Sequence, residues 1–253
     1  MILDAFRLEG KVAIVTGCDT GLGQGMAVAL AEAGCDVVGV NRKIPVQTAE
    51  KIHALGRRFL TIQADLSQQD SLNDIVTQTV STFGQIDILV NNAGTIRRED
   101  ALSFSEQDWD DVMNLNLKSV FFLSQAVARQ FLSQGQGGKI INIASMLSFQ
   151  GGIRVPSYTA SKSGVLGITR LLANEWAAQG INVNAIAPGY MATNNTQQLR
   201  DDADRNQEIV DRIPAGRWGT PDDLKGPAVF LASSASDYIN GYTLAVDGGW
   251  LAR

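Results

Sequence analysis

Short, uninterrupted apolar runs recur along this chain with helix-periodic segments between them. Val12-Ala13-Ile14-Val15, Val37-Val38-Gly39-Val40, Ile86-Asp87-Ile88-Leu89-Val90 and Ile140-Ile141-Asn142-Ile143 are the clearest, and 59–63, 181–186 and 243–246 repeat the pattern more weakly. A strand apolar at nearly every position must be buried on both faces, which a parallel sheet covered by helices provides. After the first run, Leu22, Met26, Ala29, Leu30 and Ala33 form a stripe at helical spacing, and Gly34 stands where a helix would stop. Ser67 with Asp70, and Ser105 with Asp108, have the spacing of helix-capping boxes. Sustained from end to end, this alternation predicts an α/β fold: one domain spanning 1–253 with a doubly wound parallel sheet of about seven strands. Residues 190–217 interrupt it with a polar, acidic stretch, read either as a flap-like excursion over a site or as a surface helical excursion.

The composition excludes several classes of function. Lys and Arg number 21 against 26 Asp and Glu, for a net charge of −5, with no basic stripe of the kind that phosphate backbones require, so no nucleic-acid partner is expected. Two cysteines, Cys18 and Cys35, suggest neither a disulfide framework nor a zinc site, and no metal is expected. No basic leader or membrane-length apolar run is present, so a cytoplasmic chain without a membrane partner is expected. The one histidine, His53, lies in a polar stretch and reads as surface, which leaves no imidazole for a hydrolytic triad.

Glycine accounts for 25 of 253 residues, and the densest cluster follows the first apolar run: Thr16-Gly17-Cys18-Asp19-Thr20-Gly21-Leu22-Gly23. A strand, a glycine-rich turn and a helix N-terminus together form a pyrophosphate site of the Rossmann type, since backbone N–H groups and the helix dipole face the phosphates. At the end of the second run, where such folds read the adenosine ribose, stand Asn41 and Arg42. Asn41 suits a ribose hydroxyl, Arg42 a 2′-phosphate, and Asp19 would repel that phosphate. NAD is therefore the expected cofactor, with NADP left open.

Further along come Asn91-Asn92-Ala93-Gly94, Ser145, Tyr158 and Lys162 four residues apart, Pro188-Gly189 and Val246-Asp247-Gly248-Gly249. Tyr158 and Lys162 share one helix face at this spacing. An adjacent ammonium favours phenolate over phenol, so Tyr158 is expected to act as acid and base near neutral pH, with its pKa lowered. Ser145, at a strand end, is placed to hydrogen-bond a reacting oxygen. Buried Cys18 reads as a small side chain rather than a nucleophile.

Taken in order with the glycine loop, these features identify the chain as resembling the short-chain dehydrogenase/reductase family over essentially its whole length. The resemblance implies oxidoreduction of an alcohol and a ketone with a nicotinamide dinucleotide. It further implies that Lys162 contacts the nicotinamide ribose and that Asn116 holds a water linking Lys162 to solvent. Asp65 would meet the adenine with Leu66 beside it, and Asn92, Ala93 and Gly94 would line the adenosine side of the groove. Gly17, Asp19, Thr20, Gly21, Leu22 and Gly23 would hold the phosphates. Pro188, Gly189, Met191 and Thr193 would meet the nicotinamide end, with Thr193 on the carboxamide. A homotetramer is implied as well.

Arginines near the expected pocket point to an anionic substrate. Arg97 and Arg98 follow Gly94, and Arg154 lies between Ser145 and Tyr158; each is suited to a carboxylate, or alternatively to solvent or a salt bridge. Gln150, Met191, Asn194 and Asn195 are candidate contacts to a hydroxylated chain. A closer resemblance within the family, carried by 97–101, 145–156 and 187–198, implies a sugar-acid substrate and a place in hexuronate and pectin breakdown. Two other readings stand beside it. One is an NADPH-linked 3-oxoacyl-carrier-protein reductase, which would want a basic docking patch; the other is a non-catalytic nucleotide-binding regulator, which would want damage at Ser145, Tyr158 or Lys162.

Overall fold

The computed structural model describes residues 1–68 and 70–253. Seven strands, β1 (Val12–Thr16), β2 (Asp36–Asn41), β3 (Phe59–Gln63), β4 (Ile88–Asn91), β5 (Gly138–Ile143), β6 (Ile181–Pro188) and β7 (Thr243–Val246), form one sheet ordered β3-β2-β1-β4-β5-β6-β7. Every neighbouring pair is parallel. Helices α1 (Gly21–Glu32), α2 (Val46–Ala54), α3 (Asp70–Phe83), α4 (Glu106–Met113), α5 (Ser119–Gln134), α6 (Pro156–Trp176), α7 (Gln197–Asp201), α8 (Ala203–Arg212) and α9 (Lys225–Ala232) connect the strands or cover them.

The apolar runs are unbroken because successive side chains enter opposite cores. Ala13, Val15, Ile88, Val90 and Ile141 pack with Met26, Leu30, Leu224 and Leu231 on one face. Val12, Ile14, Leu89 and Ile140 pack with Ile75, Leu123, Val127 and Phe131 on the other. The fourth run is shorter than its apolar pattern, with β4 starting at Ile88. The Asp87 carboxylate accepts from the Val12 N–H and pairs with Lys11, which anchors the strand entry from outside the ladder.

Gly34 ends the first helix with φ +113, as its position predicted. Ser105 caps α4 by accepting from the Asp108 N–H at 3.1 Å and donating to the Asp108 carboxylate at 2.9 Å. The Ser67 and Asp70 pairing falls partly outside the described residues. Among the described residues, no helix is long and apolar enough to cross a membrane.

Strand order reverses between β1 and β4, so the connections leaving their C-terminal ends diverge to opposite faces and open a crevice. Residues 190–217 form α7 and α8 beyond the end of β6. Ile209 and Ile213 anchor this segment against Met146 and Trp250, with Tyr190, Leu199 and Trp218 packed around them.

Candidate active site

The crevice holds a cavity of about 1520 Å³ that runs from the glycine loop, past Ser145 and Tyr158, to α8 and Trp250. Its floor at the β1 end is backbone held in place by hydrogen bonds. The Thr16 hydroxyl accepts from the N–H groups of Asn92 and Ala93, both at 3.0 Å, and the Asn92 side-chain amide donates to the carbonyls of Thr16 and Gly17. The loop after β4 is thus fixed to the loop after β1.

Two glycines are required for this approach. Gly17 has φ +66, and a Cβ there would stand 2.9 Å from Ala93 Cα. A Cβ on Gly23 would be driven into the Gly17 carbonyl and the Asn92 amide. Backbone brought this close at the start of α1 fits a dinucleotide pyrophosphate. Asn41 supplies a second sign of fit. It is buried and lines the cavity; Nδ2 donates to Cys18 Sγ at 3.4 Å, while Oδ1 has no protein partner. Burial pushes the Cys18 thiol up to about 11, consistent with a packed side chain rather than a nucleophile.

Of the expected cofactor residues, Gly17, Asp19, Thr20, Gly21, Leu22, Gly23, Asn41, Arg42, Asp65, Leu66, Asn92, Ala93, Gly94, Gly189 and Thr193 all border the cavity. Asp65 does so with one carboxylate oxygen already accepting from the Ser67 N–H and hydroxyl, contacts that hold its pKa down. Two expectations are corrected by the packing. Met191 is buried in the core, with its sulfur against Gly219, and Pro188 is the last residue of β6, paired with Val246; neither borders the cavity.

Ser145 leaves the end of β5, and Tyr158 and Lys162 rise from the first turns of α6, so strand and helix converge on one wall of the cavity. Pro156 opens α6 at a position where its missing N–H costs nothing. Ser145 is pinned from both sides: its Oγ accepts from the Leu147 N–H, and its own N–H donates to Ser148 Oγ. Ser148 Oγ in turn donates to the Lys162 carbonyl at 2.6 Å. Lys162 is buried, donates from Nζ to the Ile143 carbonyl at 2.6 Å, and lies 5.7 Å from the Tyr158 ring centre.

The electrostatics differ from the sequence expectation. Burial pushes the Tyr158 phenol above its ordinary value, against smaller opposing pulls from the Ser145 hydroxyl and the Arg98 charge. Burial lowers Lys162 to about 8. The Lys162 ammonium donates to the Ile143 carbonyl, and at Tyr158 desolvation outweighs the opposing pulls.

Asn116 does not border the cavity. It is fully buried in a widened turn between α4 and α5, where its Oδ1 accepts from the Thr95 N–H at 2.8 Å. Its Nδ2 donates to the Thr95 carbonyl at 2.9 Å and to Ser161 Oγ at 3.3 Å. Its side chain therefore holds the loop after β4, and its direct hydrogen bonds go to Thr95 and Ser161.

The three arginines separate. Arg97 turns to α4 and pairs with Asp108 and Asp111. Arg154 pairs with Asp100 at 3.2 Å and Glu99 at 3.8 Å at the cavity rim. Arg98 faces the cavity close enough for its charge to act on Tyr158, and donates to the Asn195 carbonyl at 3.1 Å. Gln150, Asn194 and Asn195 also border the cavity.

Sequence reasoning missed Arg205, Arg212 and Trp250 on the far wall, where Arg212 stacks on Trp250 at 4.0 Å. Arg205 and Arg212 lie in the polar excursion and Trp250 beyond the end of the last strand, and no spacing rule points them at a site. Among the described residues, no group of three or more His, Cys, Asp or Glu side chains stands close enough to hold a metal ion. His53 is an exposed side chain on α2, set edge-on to Phe59.

A family model described as enoyl-(acyl carrier protein) reductase matches residues 17–251. The chain is 76% identical, over all 253 residues and all of both sequences, to the 2-dehydro-3-deoxy-D-gluconate 5-dehydrogenase of Dickeya dadantii. A solved structure from Agrobacterium tumefaciens with bound NADP is 56% identical and superposes with a TM-score of 0.91, covering 99% of this chain and 100% of that one. The gluconate 5-dehydrogenase of Burkholderia cenocepacia, in complex with NADP and tartrate, is 39% identical with a TM-score of 0.95 over 100% of each chain. The glycine loop, the Ser145–Tyr158–Lys162 wall and this full-length similarity agree: the chain belongs to the short-chain dehydrogenase/reductase family.

Proposed function

We propose that this enzyme transfers a hydride between a nicotinamide dinucleotide and a secondary alcohol or ketone on a sugar acid, interconverting 2-dehydro-3-deoxy-D-gluconate and 3-deoxy-D-glycero-2,5-hexodiulosonate. The observation that carries the reading is the charge of the cavity wall. Four arginines, Arg98, Arg154, Arg205 and Arg212, border its substrate end, while the two bordering carboxylates, Asp19 and Asp65, both lie at the nucleotide end. Such a wall favours a substrate bearing a carboxylate, in keeping with the sugar acids named for the relatives at 76% and 39% identity.

The cofactor, held by the glycine loop, Asn41 and the Asn92–Gly94 turn, supplies the hydride acceptor or donor when bound. Tyr158 carries the proton at the substrate oxygen. As a half-buried phenol on the cavity wall it is the proton donor for ketone reduction, and it becomes the base for alcohol oxidation as pH rises. Ser145, pinned by Leu147 and Ser148, hydrogen-bonds the same oxygen. Lys162 supports the phenol from beneath, and Asn116 acts as a positioning residue for the loop that carries Arg98. Arg98 takes the substrate carboxylate, with Gln150 on the hydroxylated chain. The enzyme works with NAD, accepts NADP through Arg42, and acts as a cytoplasmic homotetramer in hexuronate breakdown, with 190–217 as its flap.

A panel of keto sugar acids, ketosteroids and acyl thioesters, followed by nicotinamide absorbance, tests the reading. Turnover should be fastest on the keto sugar acids; turnover confined to thioesters would replace it with a carrier-protein reductase.

A further inference from the structure

Arg154 is the one non-glycine residue among those described whose backbone is left-handed, with φ +60. A side chain bearing a Cβ holds this conformation only where its surroundings over-determine it. Here three contacts do so. The Arg154 carbonyl accepts from the Glu99 N–H at 3.1 Å, and its guanidinium reaches the carboxylates of Asp100 at 3.2 Å and Glu99 at 3.8 Å. Together they join the loop after β4 to the loop before α6 across the mouth of the cavity.

The loop after β4 has no regular secondary structure, and its neighbouring charged side chains go to different partners. Arg97 goes outward to Asp108 and Asp111, and Glu99 goes to Arg154. Arg98, between them, borders the cavity, and among the described residues its side chain is held by the Asn195 carbonyl alone. With Thr95 fixed by Asn116 on one side, the remaining freedom of Arg98 is set by what holds residues 99 and 100 on the other.

We propose that Arg154 is a positioning residue: its clasp on Glu99 and Asp100 sets the place of Arg98 in the substrate site, and Arg154 is not itself the ligand of the substrate carboxylate. The inference rests on the assignment of Arg98 as the carboxylate partner. The clasp puts both carboxylates within reach of the Arg154 guanidinium, so a substrate carboxylate would have to displace them. Among the described residues, Arg98 has no acidic partner to displace.

The two roles for Arg154 predict different patterns of KM across combined variants, measured with a keto sugar acid. Arg154→Gly accepts φ +60 without strain and removes the ion pairs, so it should fold normally and raise KM about tenfold. Arg98→Met should raise it by at least as much, and the double variant should be no worse than Arg98→Met alone. Exchanging the charges, Asp100→Arg with Arg154→Asp, rebuilds the clasp in reverse with a residue type that tolerates the left-handed region, and should recover most of the loss. The pH profile of alcohol oxidation should move to higher pH in Arg154→Gly as in Arg98→Met, since both displace the Arg98 charge from Tyr158.

Multiplying effects of Arg154→Gly and Arg98→Met, or an exchanged pair no better than Arg154→Gly, would make Arg154 an independent ligand and overturn the proposal. So would a lower KM in Asp100→Asn, which frees Arg154 without removing it. If Arg98→Met leaves KM unchanged, the carboxylate assignment fails first, a result distinct from failure of the clasp.

Discussion

The two ends of the cavity are built from different materials. At the nucleotide end the surface is backbone: Gly17 and Gly23 bring the chain against Ala93 and Asn92, and Thr16 and Asn92 lock the two loops together. At the substrate end it is side chains on loops and on α8, among them four arginines. A backbone surface recognises what every dinucleotide shares, and its tolerance for change is small because the contact is between main chains. An arginine wall recognises one charged group through side chains, and Arg98 can be altered without moving main chain against main chain. The largest effects on architecture are therefore expected at the nucleotide end, and the most selective effects on substrate at the other.

The largest expected effect is from Gly23→Ala. Its methyl would meet the Gly17 carbonyl and the Asn92 amide, so the loop must move; about 1–3 kcal/mol of stability and measurable cofactor binding should both be lost. Thermal unfolding and cofactor fluorescence report this, and unchanged cofactor affinity would remove the glycine loop from the site. Tyr158→Phe, at the boundary between the two ends, should lower turnover by about 10²–10⁴ with stability and cofactor binding retained. Normal activity in that variant would sink the assignment of the proton carrier.

A smaller shift is expected from Asn41→Asp. A carboxylate at the end of β2 accepts from a ribose 2′-hydroxyl and repels a 2′-phosphate, so the preference for NAD over NADP should rise by about tenfold. An unchanged ratio of kcat/KM would place the ribose elsewhere. The smallest effect concerns stability and pH. Lys162 has a folded pKa of about 8 against an unfolded 10.5. Between those values the unfolded chain binds more protons, so Lys162 makes stability rise with pH across that window. Tyr158 acts oppositely above its unfolded value of about 10, where the folded phenol keeps a proton that the unfolded chain releases. Urea midpoints from pH 8 to 10 should climb in the native enzyme and flatten in Lys162→Met; equal slopes would mean that Lys162 is not desolvated.

The same contrast explains what could be read from the sequence. The apolar runs at 59–63 and 243–246 coincide with β3 and β7, and the glycine spacing located the nucleotide end, because each depends on periodicity or on a backbone requirement. Tyr158 and Lys162 were legible through helical spacing. The direction of the Tyr158 shift was not, because it depends on how deeply the ring is buried and on the carbonyl that takes the Lys162 ammonium. Residues on loops were least legible. Met191 sits two positions from Thr193 yet is core, and Arg97 and Arg98 are adjacent yet face opposite ways. Arg212 and Trp250 meet across 38 positions through a stack that only the packing of α8 against the C-terminal turn creates.

The central claim is that the arginine end of this cavity reads the carboxylate of a sugar-acid substrate, at the far end of its chain from the reacting C5. It is tested most directly by comparing kcat/KM for a keto sugar acid and its neutral methyl ester in the native enzyme and in Arg98→Met. The native enzyme should prefer the acid by about 10–100-fold, and Arg98→Met should lose most of that preference while retaining turnover of the ester. Equal rates on acid and ester in the native enzyme, or a preference for the acid untouched by Arg98→Met, would contradict the claim.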